Sequence, residues 1–188
     1  MIKKLSLFAI AFMLISFTSG DLEIGGITMP DTLSAGETEL TLNGAGIRTK
    51  FFLKLYVGGL YLQNKTTDSN KVLSEDKPMA IRLHIISSMI TSSKMEDATR
   101  EGFDKSLGNK VTSMSTEIEA FIDVFKAEIN DGDIFDMIYI PGKGVEIYKN
   151  DKHSKTIKGL AFKNALFGIW IGKKPAQDSL KEGMLGKD

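Results

Sequence analysis

The segment Leu160–Ile171, LAFKNALFGIWI, limits what this chain can fold into more than any other stretch. It is apolar on nearly every side, so a helix built from it cannot lie on a surface with one face in water. Its 12 residues fall short of the roughly 20 needed to cross a bilayer. Gly168 and Gly172 weaken it as an isolated helix, so neighbouring elements must hold it. It is therefore a core helix or a pocket wall rather than an anchor. Phe162, Leu166, Ile169 and Trp170 share one face, and Ala165 adjoins them.

The layers that bury it come from the rest of the 188 residues, a length suited to one domain. The first twenty stand apart. MIKKLSLFAIAFMLISFTSG places two lysines before a short apolar run and ends on small residues, the layout of a secretory signal peptide cut near Asp21. A transmembrane anchor is the competing reading, and the run, at about 12 residues, is short for it. Domain organisation is thus a signal peptide at 1–20 and one domain at 21–188, exported to a periplasm or secreted, with no stable membrane anchor once cut. Loss of Lys3 and Lys4 leaves 22 basic residues against 24 acidic ones. No basic surface points to nucleic acid. The chain has no cysteine, so the exported domain rests on its core without disulfides.

Along the domain, GDLEIGGITMPDTL reads as one short strand and a turn at Pro30. TELTLNGAGIRTKFFLKLYVGGLYLQ reads as two strands broken at Gly44 and Gly46, glycines that mark a bulge or a close backbone approach. PMAIRLHIISS is a strand with Ile81, Leu83 and Ile85 on one face. The period then becomes helical from Thr91 to Leu107, with hydroxyl residues and Glu96 at the start and Gly108 at the stop. A second helix is expected from Ser115 to Ile129. IFDMIYIPGKGVEIYK is a hairpin closed at Pro141–Gly144, and residues 154–158 add a strand. A short helix ends the chain, with Pro175 near its start and Gly186 past its end. Strands, helices, strands and helices in that order specify an α+β fold, a largely antiparallel sheet with helices on one face.

Unbroken alternation through AGIRTKFFLKLYVGGLYL puts Phe51, Leu53, Leu55 and Val57 on a core face, and Arg48, Lys50, Lys54 and Tyr56 on the other. Left in water, the second face is unremarkable. Covered by helices, it surrounds an anion-attracting site in which an arginine offers two donors to a carboxylate or phenolate. Catalytic sets are otherwise missing. There is no thiol, His84 and His153 stand alone, LNGAGIR lacks the spacing of a phosphate loop, and DGD at 131–133 is too short for a calcium loop. No metal or cofactor is expected.

Taken in order, GAGIR, KLYVGGLYL, SLG, FIDVFK and ALFGIWIG resemble the chalcone isomerase family, and GIWIGKKPAQDSLKEGMLG is similar to the closing segment of its bacterial chalcone-isomerase-like branch, over about residues 23–186. The resemblance implies an open-faced β-sandwich, with a ligand cleft between a large antiparallel sheet and one layer of helices. Catalytic members close a chalcone into a flavanone by adding a phenolate to an enone, using an arginine, a threonine, a tyrosine, an asparagine and a further hydroxyl residue. By motif register these positions fall on Arg48, near Tyr56, and on Ser92, Thr99 and Ile169. Only the arginine is retained. Ile169 cannot donate a hydrogen bond, and Ser92 lacks a tyrosine's reach.

The expectation is therefore a non-catalytic binder of a lipophilic or aromatic small molecule with an acidic head, of fatty-acid or aromatic-acid type. Arg48 and Tyr56 would meet the acid, Ser92 and Thr99 would line the cleft, and Phe162, Leu166 and Ile169 would touch the apolar part. The alternative is an isomerase, or intramolecular lyase, of chalcone type with Arg48 and Tyr56 as its catalytic pair.

Overall fold

The structure is a computed structural model that describes residues 20–187. The signal-peptide expectation for residues 1–20 falls, but for Gly20, outside them. Among the described residues, the strands and helices lie between Leu22 and Met184.

The chain forms β1 (Leu22–Ile24), β2 (Ile27–Met29), β3 (Thr32–Ala35), β4 (Thr38–Lys50), β5 (Leu53–Leu62), α1 (Ser69–Ser74), β6 (Met79–Ile85), α2 (Ser92–Leu107), α3 (Ser115–Ile122), β7 (Ile134–Ile140), β8 (Gly144–Lys149), β9 (Lys152–Ile157), α4 (Leu160–Ile171) and α5 (Asp178–Met184). Strands β3 to β9 make one seven-stranded antiparallel meander in sequence order, and β1 pairs β2 in a separate hairpin. This is the expected α+β architecture, a large antiparallel sheet under a layer of helices.

Alternation sorts the sheet's residues between two cores. On the helix side, Leu60, Ile81, Leu83, Ile85, Val145 and Ile147 pack with Phe103, Phe121, Phe162, Leu166 and Phe167. The opposite face carries a smaller core of Met29, Leu40, Val57, Tyr61 and Ala80, against which Ile24 and Ile27 of the β1–β2 hairpin pack. The face away from the helices is thus partly covered by a hairpin where one short strand was expected.

Other boundaries also differ from expectation. β4 runs straight through Gly44 and Gly46, and the break falls at Phe51–Phe52, where both residues have positive φ. Phe51 is consequently exposed, and the alternating core face read through 51–57 does not exist. The helix expected over 115–129 ends at Ile122 and tightens into a 3₁₀ turn over Asp123–Phe125. Strand β3 and helix α1 carry no strong periodicity and were not anticipated.

The glycines of β4 mark both a bulge and a close approach. The β4–β5 register shifts between Leu42 and Gly44. A side chain on Gly44 would meet the Gly183 carbonyl oxygen at 2.2 Å, and one on Gly46 the Leu180 carbonyl oxygen at 2.8 Å. Gly183 in turn lies against the Ala45 carbonyl oxygen, 2.5 Å from where its own Cβ would stand. Backbone therefore packs on backbone where α5 crosses β4, and Asn43 Nδ2 donates to the Met184 carbonyl at 2.9 Å beside it. Helices α2 and α4 meet similarly. Gly102 admits Ile169, and Gly168 admits Ser106, whose hydroxyl donates to the Ala165 carbonyl at 2.7 Å.

Lys163 is the one fully buried cation among the described residues. Its ammonium donates to the carbonyls of Val72, Leu73 and Glu75 at 3.1, 2.9 and 2.9 Å, closing the C-terminal end of α1. Burial pulls this lysine down to about 8, against the opposing pull of Asp76 and Glu75.

Two outcomes are expected. Gly46→Ala must displace backbone and should cost about 1–3 kcal/mol, whereas Gly58→Ala meets side-chain atoms alone, of Leu180, Met184 and Leu83, and should cost less; urea midpoints decide the order. For Lys163, the folded chain releases a proton above pH 8 that the unfolded chain keeps up to the ordinary lysine value of 10.5. The unfolded state then binds more protons, so this group's contribution to stability rises with pH across that window. The stability difference between wild type and Lys163→Met should climb accordingly, and a flat or falling difference would refute the assignment.

Candidate functional site

One cleft, of about 380 Å³, opens between the end of the β4–β5 hairpin, α2 and the last turn of α4. Its floor is set by sheet register. Arg48 and Tyr56 are directly paired across β4 and β5, so both side chains leave the sheet on the helix side. From above, α4 supplies Ile169 and Trp170, and α2 supplies Met95, Thr99 and Gly102. Leu53, Leu55 and Ile90 complete apolar walls. The size and lining suit a small-molecule site, typically about 300–1,000 Å³.

Tyr56 is buried, and its oxygen accepts from Trp170 Nε1 at 3.0 Å. Among the described residues, no acceptor takes the phenol's own proton. Burial raises the phenol above its ordinary value, against the Trp170 hydrogen bond and the Arg48 cation, so the hydroxyl stays protonated at neutral pH and can donate.

Arg48 is half-buried beside it. Its Nη1 donates to the Thr49 carbonyl at 2.6 Å and to Gln177 Oε1 at 3.0 Å. Gln177 also accepts from the Thr49 amide at 2.8 Å and donates to the Ile47 carbonyl at 3.3 Å. Its side chain therefore clasps the end of β4 and fixes the guanidinium. Among the described residues, no carboxylate lies within 4.0 Å of Arg48, and beyond its Nη1 bonds the guanidinium lies close enough to the Tyr56 oxygen to act on it. An arginine fixed by neutral groups, next to a phenol with a free proton, is a charge-assisted pair of donors for one anion.

The rim is charged. Lys50, Lys94 and Lys105 stand at the mouth with Asp97 and Glu101. Lys105 bonds Glu101 at 2.5 Å and holds its carboxyl below the usual range, with Lys50 and Arg48 adding to the effect.

Of the residues singled out from sequence, the structure gathers Arg48, Tyr56, Thr99 and Ile169 in this cleft. It does not bring the others there. Ser92, at the start of α2, donates to the Ala127 carbonyl at 2.9 Å and borders a separate, more open depression. Phe162 and Leu166 are fully buried, two turns and one turn before the part of α4 that reaches the cleft. The face they share with Ile169 is a core face along most of its length. Sequence reasoning passed over Trp170 as a site residue, and also Gln177 and the α2 lysines. A lone tryptophan at the end of an apolar helix was a usable signal for the first; nothing local marks Gln177.

A family profile described as Chalcone isomerase-like matches residues 21–186. Among solved structures, the chain is similar to a fatty-acid binding protein of Arabidopsis thaliana, at 19% sequence identity and a TM-score of 0.65, over 85% of this chain and 92% of that one. No curated protein sequence matches.

The Tyr56–Trp170 bond is open to a direct test, because Trp170 is the single tryptophan. Tyr56→Phe removes the acceptor and strands a buried indole N–H, which should destabilise the fold by about 1–3 kcal/mol and shift the tryptophan emission. Unchanged emission would show that the bond does not form in solution.

Proposed function

We propose that this chain, which belongs to the chalcone isomerase-like family, binds a lipophilic small molecule with an acidic head and does not convert it. One observation carries this reading: Arg48 and Tyr56 stand side by side at the floor of an apolar cleft with donors left over and no protein carboxylate to take them. An acid entering the cleft would receive hydrogen bonds from the guanidinium and from the Tyr56 hydroxyl, and its hydrocarbon part would lie against Leu55, Met95, Ile169 and Trp170. The similar Arabidopsis thaliana structure is that of a fatty-acid binding protein, which supports a ligand of this class.

The isomerase alternative asks more of the site. Cyclisation of a chalcone needs donors placed where negative charge develops on the ketone. Ile169 offers none at the position where the family has a hydroxyl, and Ser92 is committed outside the cleft. Tyr56 would have to polarise the ketone while holding Trp170.

The reading includes export. Residues 1–20 are proposed to be removed, leaving a periplasmic or secreted domain of the bacterial branch. N-terminal sequencing of the protein recovered from its host should begin near Asp21.

Native mass spectrometry of the host-purified protein beside Arg48→Ala tests the ligand. A bound small acid should be retained by wild type and lost from the variant, with affinity for an added fatty acid falling about tenfold to a hundredfold, as for a lost charge-assisted bond. Empty wild-type protein that takes up no amphipathic acid would overturn the reading. Naringenin chalcone cyclising faster with wild type than with Arg48→Ala would instead favour the isomerase.

A further inference from the structure

The β4–β5 hairpin closes on two residues that its backbone does not favour. Lys50 pairs with Leu53, so the loop consists of Phe51 and Phe52 alone, with φ of 49° and 66°. Two-residue loops with both φ positive select Asn-Gly, Asp-Gly or Gly-Gly, and a bulky residue in that region is an outlier. The chain itself supplies the comparison. The β8–β9 hairpin turns through Asn150 and Asp151, with φ of 49° and 62°, and uses residues that tolerate the geometry. At the β4–β5 tip the same geometry is filled by the least suitable side chains.

Packing does not account for them. Phe51 is 83% exposed and Phe52 103%, and Leu53 and Met89 beside them are also exposed. Of the exposed large apolar side chains among the described residues, only Leu22 lies elsewhere. The patch sits at the mouth of the cleft, which Phe51, Leu53 and Met89 help to line.

Cations ring it. Lys50 lies over the Phe51 ring with its Nζ 5.9 Å from the centroid, Lys54 follows the turn, and Lys94 donates to the Met89 carbonyl at 3.0 Å. Glu101 is paired with Lys105, which leaves Asp97, among the residues that line the cleft, as the acid set against Arg48, Lys50 and Lys94. The chain as a whole is balanced, with 24 basic and 24 acidic residues, so this local excess is not a general property of the surface.

We propose that the Phe51–Phe52 tip is a membrane-contact element that inserts its two rings into the interface of a bilayer bearing anionic lipid. Aromatic rings are favoured at that depth, and lysines flanking them reach the headgroups. A convex tip of two side chains makes a poor seat for a protein partner, which needs an extended complementary surface of about 800 Å² on each side. A bilayer needs no shape complementarity. Contact through the tip would set the mouth of the cleft against the acyl layer, so a lipophilic acid could pass between membrane and cleft without crossing water. That last step rests on the binding reading above; the membrane contact does not.

The test is co-sedimentation of the chain from Asp21, which holds the strands and helices of the described residues, with vesicles of phosphatidylcholine alone or mixed with phosphatidylglycerol. Wild type should bind the mixed vesicles more tightly, and added salt should weaken that binding. Phe52→Ser should bind at least tenfold more weakly, given the apolar area lost. Lys54→Gln should lose affinity for the mixed vesicles only. Phe52 lies outside the cleft, so uptake of free oleate supplied without vesicles should be unaffected by Phe52→Ser. Loss of oleate uptake by wild type, with vesicle binding intact, would sink the ligand reading and leave the membrane contact standing. Wild type that stays in the supernatant, or Phe52→Ser that binds equally well, would overturn the proposal. So would a wild-type dimer in sedimentation velocity that ignores vesicles and is broken by Phe52→Ser, since the tip would then serve self-association. As a second measurement, Phe51→Asn with Phe52→Gly should raise the thermal midpoint while vesicle binding falls. A lower midpoint would show that the phenylalanines suit this turn and would remove the argument from strain.

Discussion

Burial of α4 along most of its length, from Phe162 to Ile171, is the constraint on which the rest of the molecule depends. A helix with Phe162, Leu166, Phe167 and Ile171 at 1% exposure or less needs a layer beneath it and neighbours on both flanks. The seven-stranded sheet is the layer beneath. Helix α2 comes close because Gly102 and Gly168 remove side chains from the contact, and Lys163 ties α1 to the other flank through its carbonyl ends. A helix held this tightly can present its last turn at a fixed height above the sheet. That turn carries Trp170, whose indole N–H fixes the Tyr56 hydroxyl from the acceptor side.

The second fixed point is the glycine contact between α5 and β4. With no side chains between Gly44, Gly46 and Gly183, the C-terminal segment lies directly on the strand. This brings Gln177, just before α5, into hydrogen-bond range of Arg48 and the end of β4. The arginine is thereby oriented by neutral partners rather than by a carboxylate. The distinction matters chemically, because a guanidinium neutralised by an internal acid has little left for an external one. The contacts that seat α5 thus also set the position of the cation in the cleft.

The sequence made some of this legible and obscured other parts for identifiable reasons. Leu160–Ile171 reads as a buried helix because its apolar character is continuous, and α2 is marked by Thr91 and Gly108 at its ends. The alternation of Ile81, Leu83 and Ile85 reads correctly because β6 is a central strand with no bulge. The stretch from Arg48 to Val57 misleads because the turn that interrupts it holds two phenylalanines, residues typical of strand interiors. A rule that finds turns by glycine and asparagine places the break at Gly44 and Gly46 instead. Helical spacing likewise groups Phe162 and Leu166 with Ile169, although only the last turn of that face reaches open space.

Sequence alone therefore determined the class of fold, an antiparallel sheet under helices, since periodicity and helix-end signals are local properties of neighbouring residues. It also singled out Arg48 and Tyr56, although what relates them is the pairing of β4 with β5 across the turn rather than alternation along one strand. Tertiary structure decided what those two residues face. The partnership of Tyr56 with Trp170 and that of Arg48 with Gln177 join residues more than a hundred positions apart, and no local pattern encodes such a pairing. The exposure of Phe51 and Phe52 was decided the same way. Whether an aromatic side chain points into a core or into solvent depends on the path of the backbone, and here a two-residue turn of left-handed dihedrals carries both rings outward.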